Sequence, residues 1–437
     1  MGVRVVTSFS GRISMTRGKA RVASLAAGIL MASAFAADAQ EAEANLVDAR
    51  GQSVMERERP GYDAAGIRAG GFMVYPEASI SGAFNDNIYA LPGNETDDFI
   101  TTVAARVNAN STWSRHAISL RAGVAQDFYA DNTDENRFNW NVGVGGRLDV
   151  TRDTSINANA GYAVLHEDRG DPNAPAAADE PIEYTLFNAA AGIQHRFNRI
   201  SVGLDGEYLS YDFDNAVTTA GAPILQDDRD REEFIQRLRL GYNVSPDTLV
   251  YVEGQLDQRK YDLQPPAVAT NRDSDGRQIV VGSEFRLTNL AQGGVYVGYQ
   301  EREYDDAAFG DTDGIAYGAN VDWFVTPLTT IQFTADASVQ ETTVAGSSGY
   351  DRQQFGVGVD HELLRNLILR GALSYANNDY NDAAREDDII GARAGLVYLL
   401  NRNLDLEFGY NYSDRDSSVP AFSYTRNIIG LTVTGKL

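Results

Sequence analysis

From residue 71 to the C-terminus, almost every segment of this chain alternates apolar and polar residues with a period of two. Successive side chains of a strand point to opposite faces of its sheet, so the pattern calls for strands with two different faces rather than helices. In 404–412, Leu404, Leu406, Phe408, Tyr410 and Tyr412 share one face, with Asp405, Glu407, Gly409 and Asn411 on the other. The segment 331–340 repeats this, with Ile331, Phe333 and Val339 against Gln332, Thr334 and Asp336. The same parity runs through 138–150, 200–208, 234–244, 315–323 and 355–363. A soluble sandwich also alternates, so alternation alone leaves the solvent of the outer face open.

Connection lengths separate the two. Short turns recur at 111–115, 151–153, 198–199, 245–247, 288–290, 326–328, 364–366 and 401–403, a hairpin-sized repeat of roughly 37 to 47 residues. Between them lie longer, Asp-rich connections such as 168–183, 212–232, 260–275 and 382–388. Tight turns on one side and long polar loops on the other are the mark of an outer-membrane barrel, with the turns in the periplasm. Eight turns and nine loops predict eighteen strands from Phe72 onward (16 to 18 being the expected range), an all-β, up-and-down antiparallel transmembrane barrel over 71–437. The last strand carries Ile429, Leu431, Val433, Gly435 and Leu437 on one face. It resembles the C-terminal signature read by barrel-assembly machinery, with Leu in place of a terminal aromatic.

The N-terminus reads as a secretory signal peptide over 1–39. Arg4, Arg12, Arg17, Lys19 and Arg21 precede an apolar run from Val22 to Phe35, and small residues offer cleavage at 34–36 or 37–39. Met15 would give a more ordinary basic region as the start. The run is shorter than the ~20 residues a spanning helix needs, and no later run approaches that length. The chain has no cysteine, which excludes a disulfide scaffold and a lipid-anchored lipoprotein. Removing 1–39 takes five basic residues and one acid from totals of 37 and 61, leaving a net charge of −28. Such an excess of acid argues against a nucleic-acid partner. A charged lead-in, 40–70, is expected in the periplasm.

Facing a lumen, the parity places Arg106, Arg121, Arg147, Arg196, Arg237, Arg239, Arg286, Arg302, Arg370 and Arg393. With them come Asp149, Asp205, Glu207, Glu253, Asp257, Glu284, Asp322, Asp336, Asp360, Glu362, Asp405 and Glu407. Ten bases against twelve acids make a nearly balanced wall, suited to neutral, hydroxyl-rich solutes or to ion pairs that brace a wide barrel. Tyr251, Tyr296 and Tyr304 share that parity and could stack on sugars. The four histidines, His116, His166, His195 and His361, fall on the opposite parity near strand ends, as girdle residues beside Trp113, Trp140, Trp323, Phe285 and Tyr398. No serine pairs with them as a nucleophile would, so no enzyme and no cofactor is expected.

Three motifs carry little. Residues 271–276 match the first half of a calcium loop, making Asp273 and Asp275 weak metal candidates, but Gly282 stands where the twelfth, acidic ligand belongs. Arg169-Gly170-Asp171 is too short a match to an integrin-binding tripeptide to be informative, and the glycines at 143, 145 and 146 lie inside a strand.

The lead-in Val54-Met55-Glu56-Arg57-Glu58-Arg59-Pro60-Gly61-Tyr62-Asp63, then Gly66-Ile67-Arg68, Gly71-Phe72, Tyr75-Pro76 and Phe84-Asn85-Asp86-Asn87-Ile88-Tyr89, resembles the putative β-barrel porin family (type two) of bacterial outer-membrane proteins. The resemblance implies a location in the outer membrane of a Gram-negative bacterium, among lipid and lipopolysaccharide. For some members it implies a part in exopolysaccharide export with periplasmic export proteins. A general diffusion porin and a surface-exposed structural or adhesive barrel are the alternatives.

Overall fold

The computed structural model describes residues 51–437 apart from Pro266, Thr288 and Ala345; the expected signal peptide and its cleavage sites lie outside the described residues. One sheet holds nineteen strands, of which the three-residue β1 (Ile67–Ala69) is an appendage. The other eighteen form the wall. They are β2 (Phe72–Asn85), β3 (Asp98–Ser111), β4 (Ala117–Tyr129), β5 (Arg137–Asp149), β6 (Thr154–His166), β7 (Glu183–Phe197) and β8 (Ile200–Phe213). After a two-residue hairpin, β9 (Ala216–Val217) and β10 (Pro223–Ile224), come β11 (Arg231–Ser245), β12 (Thr248–Tyr261), β13 (Ser274–Leu287), β14 (Ala291–Tyr304), β15 (Thr312–Thr326) and β16 (Thr329–Gln340). The wall ends with β17 (Tyr350–Leu364), β18 (Leu367–Tyr380), β19 (Glu386–Asn401), β20 (Leu404–Ser417) and β21 (Tyr424–Lys436). Each pairs antiparallel with the next, and β21 returns to β2, from Glu77 opposite Lys436 to Asn85 opposite Ile428. The ring is closed, so it has no free edge.

Every short turn and long loop expected from the sequence falls between these strands, turns at one end and loops at the other. Pro76 is accommodated because the β21 ladder stops at Glu77, leaving its missing N–H unneeded on that side; its carbonyl accepts the Leu437 N–H at 3.2 Å. Four turn-end hairpins carry a one-residue register shift, at Asn243/Ser245, Phe324/Thr326, Glu362/Leu364 and Leu399/Asn401.

Burial is inverted relative to a water-soluble protein. Ile80, Phe99, Val124, Leu238, Ile279 and Leu373 stand exposed on the outer face, while Glu207, Arg239, Asp257, Arg302, Asp360 and Glu362 are buried on the inner one. A continuous apolar exterior is unfavourable in water and favourable in hydrocarbon, and strands of about 14 residues, tilted ~40°, cross ~35 Å, enough for a bilayer core.

Candidate pore and its two mouths

Antiparallel register places each charge opposite its partner. Arg239 lies across from Glu253 on β12 and bonds it at 2.7 Å, then reaches Glu284 on β13 at 2.6 Å. Arg237 bonds Glu207 at 3.1 Å and Gln255 at 3.0 Å. Arg370 opposes Asp360 at 3.1 Å and approaches Glu407 at 4.0 Å, and Arg147 bonds Asp149 at 2.8 Å. Arg302 bonds Asp257 and donates to Ser274 Oγ at 2.9 Å. The contact skips a strand: Gly276 stands between the two, and a Cβ there would come within 2.7 Å of the Arg302 guanidinium.

Arg121 faces Asn108 and Gly143, Arg286 faces Gln292, Arg393 faces Asn411, and Asp336 faces Gln354 and Gly318. The wall thus combines ion pairs with charged groups that face amides and glycines. The weak metal candidates serve other ends. Asp273 accepts the Tyr261 N–H at 2.7 Å, and Asp275 accepts from Gln258 at 3.0 Å.

The tyrosines differ from the expected sugar platforms. Tyr251 is 6% exposed, capped by the Arg239 guanidinium 3.9 Å from its ring centre and laid over Gly282 on the next strand. Tyr296 lies over Gly318 in the same way, where a Cβ would come within 2.5 Å of its Cζ. Tyr304 is buried as well. These rings are wall packing, and for Tyr251 and Tyr296 the glycines opposite them in register are the signal that could have revealed it. Among the histidines, His195 and His361 bond Thr154 and Thr329 hydroxyls at 2.8 and 2.9 Å near the turn end. His116 lies in a turn, where its Nδ1 accepts the Asp149 N–H at 3.1 Å, and His166 meets Asn139 at 3.0 Å near the loop end.

At the loop end, two loops fold inward from almost opposite sides. Glu341, just past β16, ion-pairs with Arg259 and accepts from the Tyr261 hydroxyl, both on β12 four strands away around the ring. Burial raises the Glu341 pKa, but Arg259, Arg231 and Arg302 outweigh it and hold the carboxyl below its ordinary range. Asn173, from the loop after β6, donates to the Glu341 carbonyl at 3.2 Å and accepts the Thr343 N–H at 3.0 Å. The same loop is tied to β20 and β21 by Arg415 on the Gly170 carbonyl at 3.1 Å and Arg426 on Asp168 at 2.9 Å. Burial raises the Asp168 pKa too, yet Arg426 and Arg137 bring it down to about 2. Together these contacts roof the mouth.

At the turn end, the lead-in lies inside the rim. Gly51 abuts Asn289 in the β13–β14 turn, and the Val54 N–H donates to Thr330 Oγ1 on β16 at 3.0 Å. The Val54 side chain is fully buried among Ile368, Val397 and Leu399 on β18 and β19. Arg57 and Arg59 share Glu362 Oε2 on β17 at 3.3 and 3.0 Å, and Arg57 also bonds the Pro327 carbonyl. Arg59 is 2% exposed and holds the segment's own shape through the carbonyls of Val54, at 2.6 Å, and Arg57, at 3.2 Å. From Asn289 to β2, where β1 closes a hairpin through the left-handed Gly70 at φ 60°, the lead-in follows half of the ring. Ile368, Val397 and Leu399 are apolar at positions whose parity demands polar residues, the sequence signal for this seat.

Residues 59–437 match the family described as putative beta-barrel porin 2. The chain belongs to that family. The family match thus takes in Arg59 and all eighteen barrel strands, the fold of an outer-membrane, porin-like barrel. No curated protein matches the sequence. In fold, this porin-family barrel is similar to the siderophore receptor PiuA from Acinetobacter baumannii, with TM-score 0.47 and 10% identity over 85% of this chain and 82% of that one. It is also similar to the siderophore receptor PirA from Pseudomonas aeruginosa, with TM-score 0.41 and 9% identity over 83% and 80%. A third is the outer membrane protein opdK from Pseudomonas aeruginosa, with TM-score 0.43 and 13% identity over 83% and 98%.

Proposed function

We propose that this barrel lies in the outer membrane of a Gram-negative bacterium, loops outward among lipopolysaccharide and turns toward the periplasm, and passes an exopolysaccharide out of the cell. The observation that carries the reading is the inner wall, where arginines and carboxylates such as Arg237 with Glu207 and Arg302 with Asp257 are already paired. Paired groups still offer donors and acceptors to sugar hydroxyls but hold no net charge that would trap an ion. A polymer in transit has to be held weakly at many places, because one strong site would stop it. The barrel-assembly machinery inserts the chain, and periplasmic export proteins deliver the polymer to the turn end.

Deleting the gene should abolish surface exopolysaccharide and leave the uptake of small nutrients nearly unchanged. The inward Glu341 loop favours a second reading, because a constriction by a charged loop suits a general diffusion porin. That reading is the better one if the deletion strain secretes normal polysaccharide and grows poorly on dilute nutrients.

A further inference from the structure

We infer that residues 51–66 are a releasable strap that narrows the turn-end mouth, and that the seat formed by Thr330, Glu362, Ile368, Val397 and Leu399 is the docking site from which it is released. The inference rests on the reading of the barrel as a pore.

The first support is that the seat is built for this occupant. Three apolar side chains on the lumen face would be wasted on a water-filled pore, and Val54 covers them. Glu362 is the second. It is 4% exposed, and its Oε2 accepts from both Arg57 and Arg59, so the barrel supplies one carboxylate for two strap guanidiniums. Without those partners, a cation that remains beside this carboxylate is Arg365 at 3.8 Å. Position is the third support. The seat lies at the turn-end rim beside the shifted hairpins at Glu362/Leu364 and Leu399/Asn401, and its side chains share the lumen parity of Asp360, Arg370 and Arg393.

The strap is held differently from the wall. Each barrel strand is fixed by backbone ladders on both sides, whereas no described residue between Gly51 and Gly66 belongs to a strand, and the segment meets the barrel through contacts such as those of Arg57, Arg59 and the Val54 N–H. Segments with few ladder bonds open at the low end of a protein's range of local stabilities. The strap can therefore leave while the barrel stays folded. A periplasmic peptide with an apolar residue three and five positions before two arginines has the chemistry to replace it.

The test uses the full chain, refolded and reconstituted, comparing wild type with Val54→Asp, which alters the strap and leaves the wall intact. Trypsin cleavage after Arg57 reads seating, since Pro60 blocks the bond after Arg59, and bilayer conductance reads width. Val54→Asp should be cut at least about tenfold faster, equivalent to about 1.4 kcal/mol, and should conduct more. Because the loop roof is a resistance in series, conductance is also compared in a Glu341→Gln background. A second variant, Val54→Cys with Leu399→Cys, uses the absence of native cysteines. Oxidised, it should resist trypsin and stay at the low conductance, and reduction should return it to wild type. Equal cleavage of wild type and Val54→Asp overturns the inference, as does faster cleavage with unchanged conductance in both backgrounds. If cleavage differs but no variant passes current, the pore reading itself has failed and the inference falls with it.

Discussion

Glu341→Gln removes the negative charge that draws the 341–349 loop across the lumen, while keeping the size of the side chain. In the wild type this carboxylate faces Arg259 and the Tyr261 hydroxyl on β12, and its side chain is 13% exposed. Breaking a buried ion pair costs about 3–5 kcal/mol when the abandoned charge stays buried. Here the cost is smaller, because Arg259 keeps Glu233 at 3.7 Å and the freed loop can move into water. A loss of about 2–3 kcal/mol follows, raising the population of the open loop roughly 30- to 150-fold. Amide hydrogen exchange across 341–349 in the reconstituted protein reads that population directly, and single-channel conductance reads its effect on the pore. Exchange in this loop should accelerate while the β12 and β16 ladders stay protected. Unchanged exchange in the loop would refute the idea that Glu341 latches it.

The pH dependence has a definite sign. A carboxyl held below its ordinary value contributes stability that is complete above that value, and loses it as pH falls through the lowered one. The wild-type latch should therefore hold through neutral and mildly acidic conditions and release only as the pH falls below the ordinary carboxyl range.

Tyr251→Ala should empty the space over Gly282 and expose the Arg239 guanidinium from below, costing roughly 3–5 kcal/mol and lowering the temperature of the heat-induced gel-mobility shift. An unshifted transition would contradict its placement in the wall. Bilayer recordings under a salt gradient should give a reversal potential of weak selectivity, since Arg147, Arg237, Arg239, Arg302 and Arg370 on the wall are paired with carboxylates. A value near that of a purely cation-selective pore would count against the pairing. Protease added to intact cells should cut within 212–232 or 260–275 before any short turn, and cleavage confined to 401–403 would invert the topology.

The strand count, the alternation of faces and the segregation of turns from loops were all legible in the sequence. Each follows from the period of two along a strand and from turn chemistry a few residues long, so no knowledge of distant contacts was needed. The lumen parity of Arg239, Glu253 and Glu284 was legible for the same reason. Their partners were not: which carboxylate an arginine meets depends on the register of neighbouring strands, and the Arg302–Asp257 pair exists only because Gly276 lets it cross one. The same dependence hid the packing of Tyr251 and of the half-buried Tyr296, polar-tipped rings whose facing glycines are assigned only by the register of adjacent strands. Closure of the ring also decided the two mouths. Val54 finds Ile368 and Leu399 more than 300 residues away, and Asn173 meets Glu341 from the far side, because closing the barrel brings together segments that the local pattern reads as separate solvated connections.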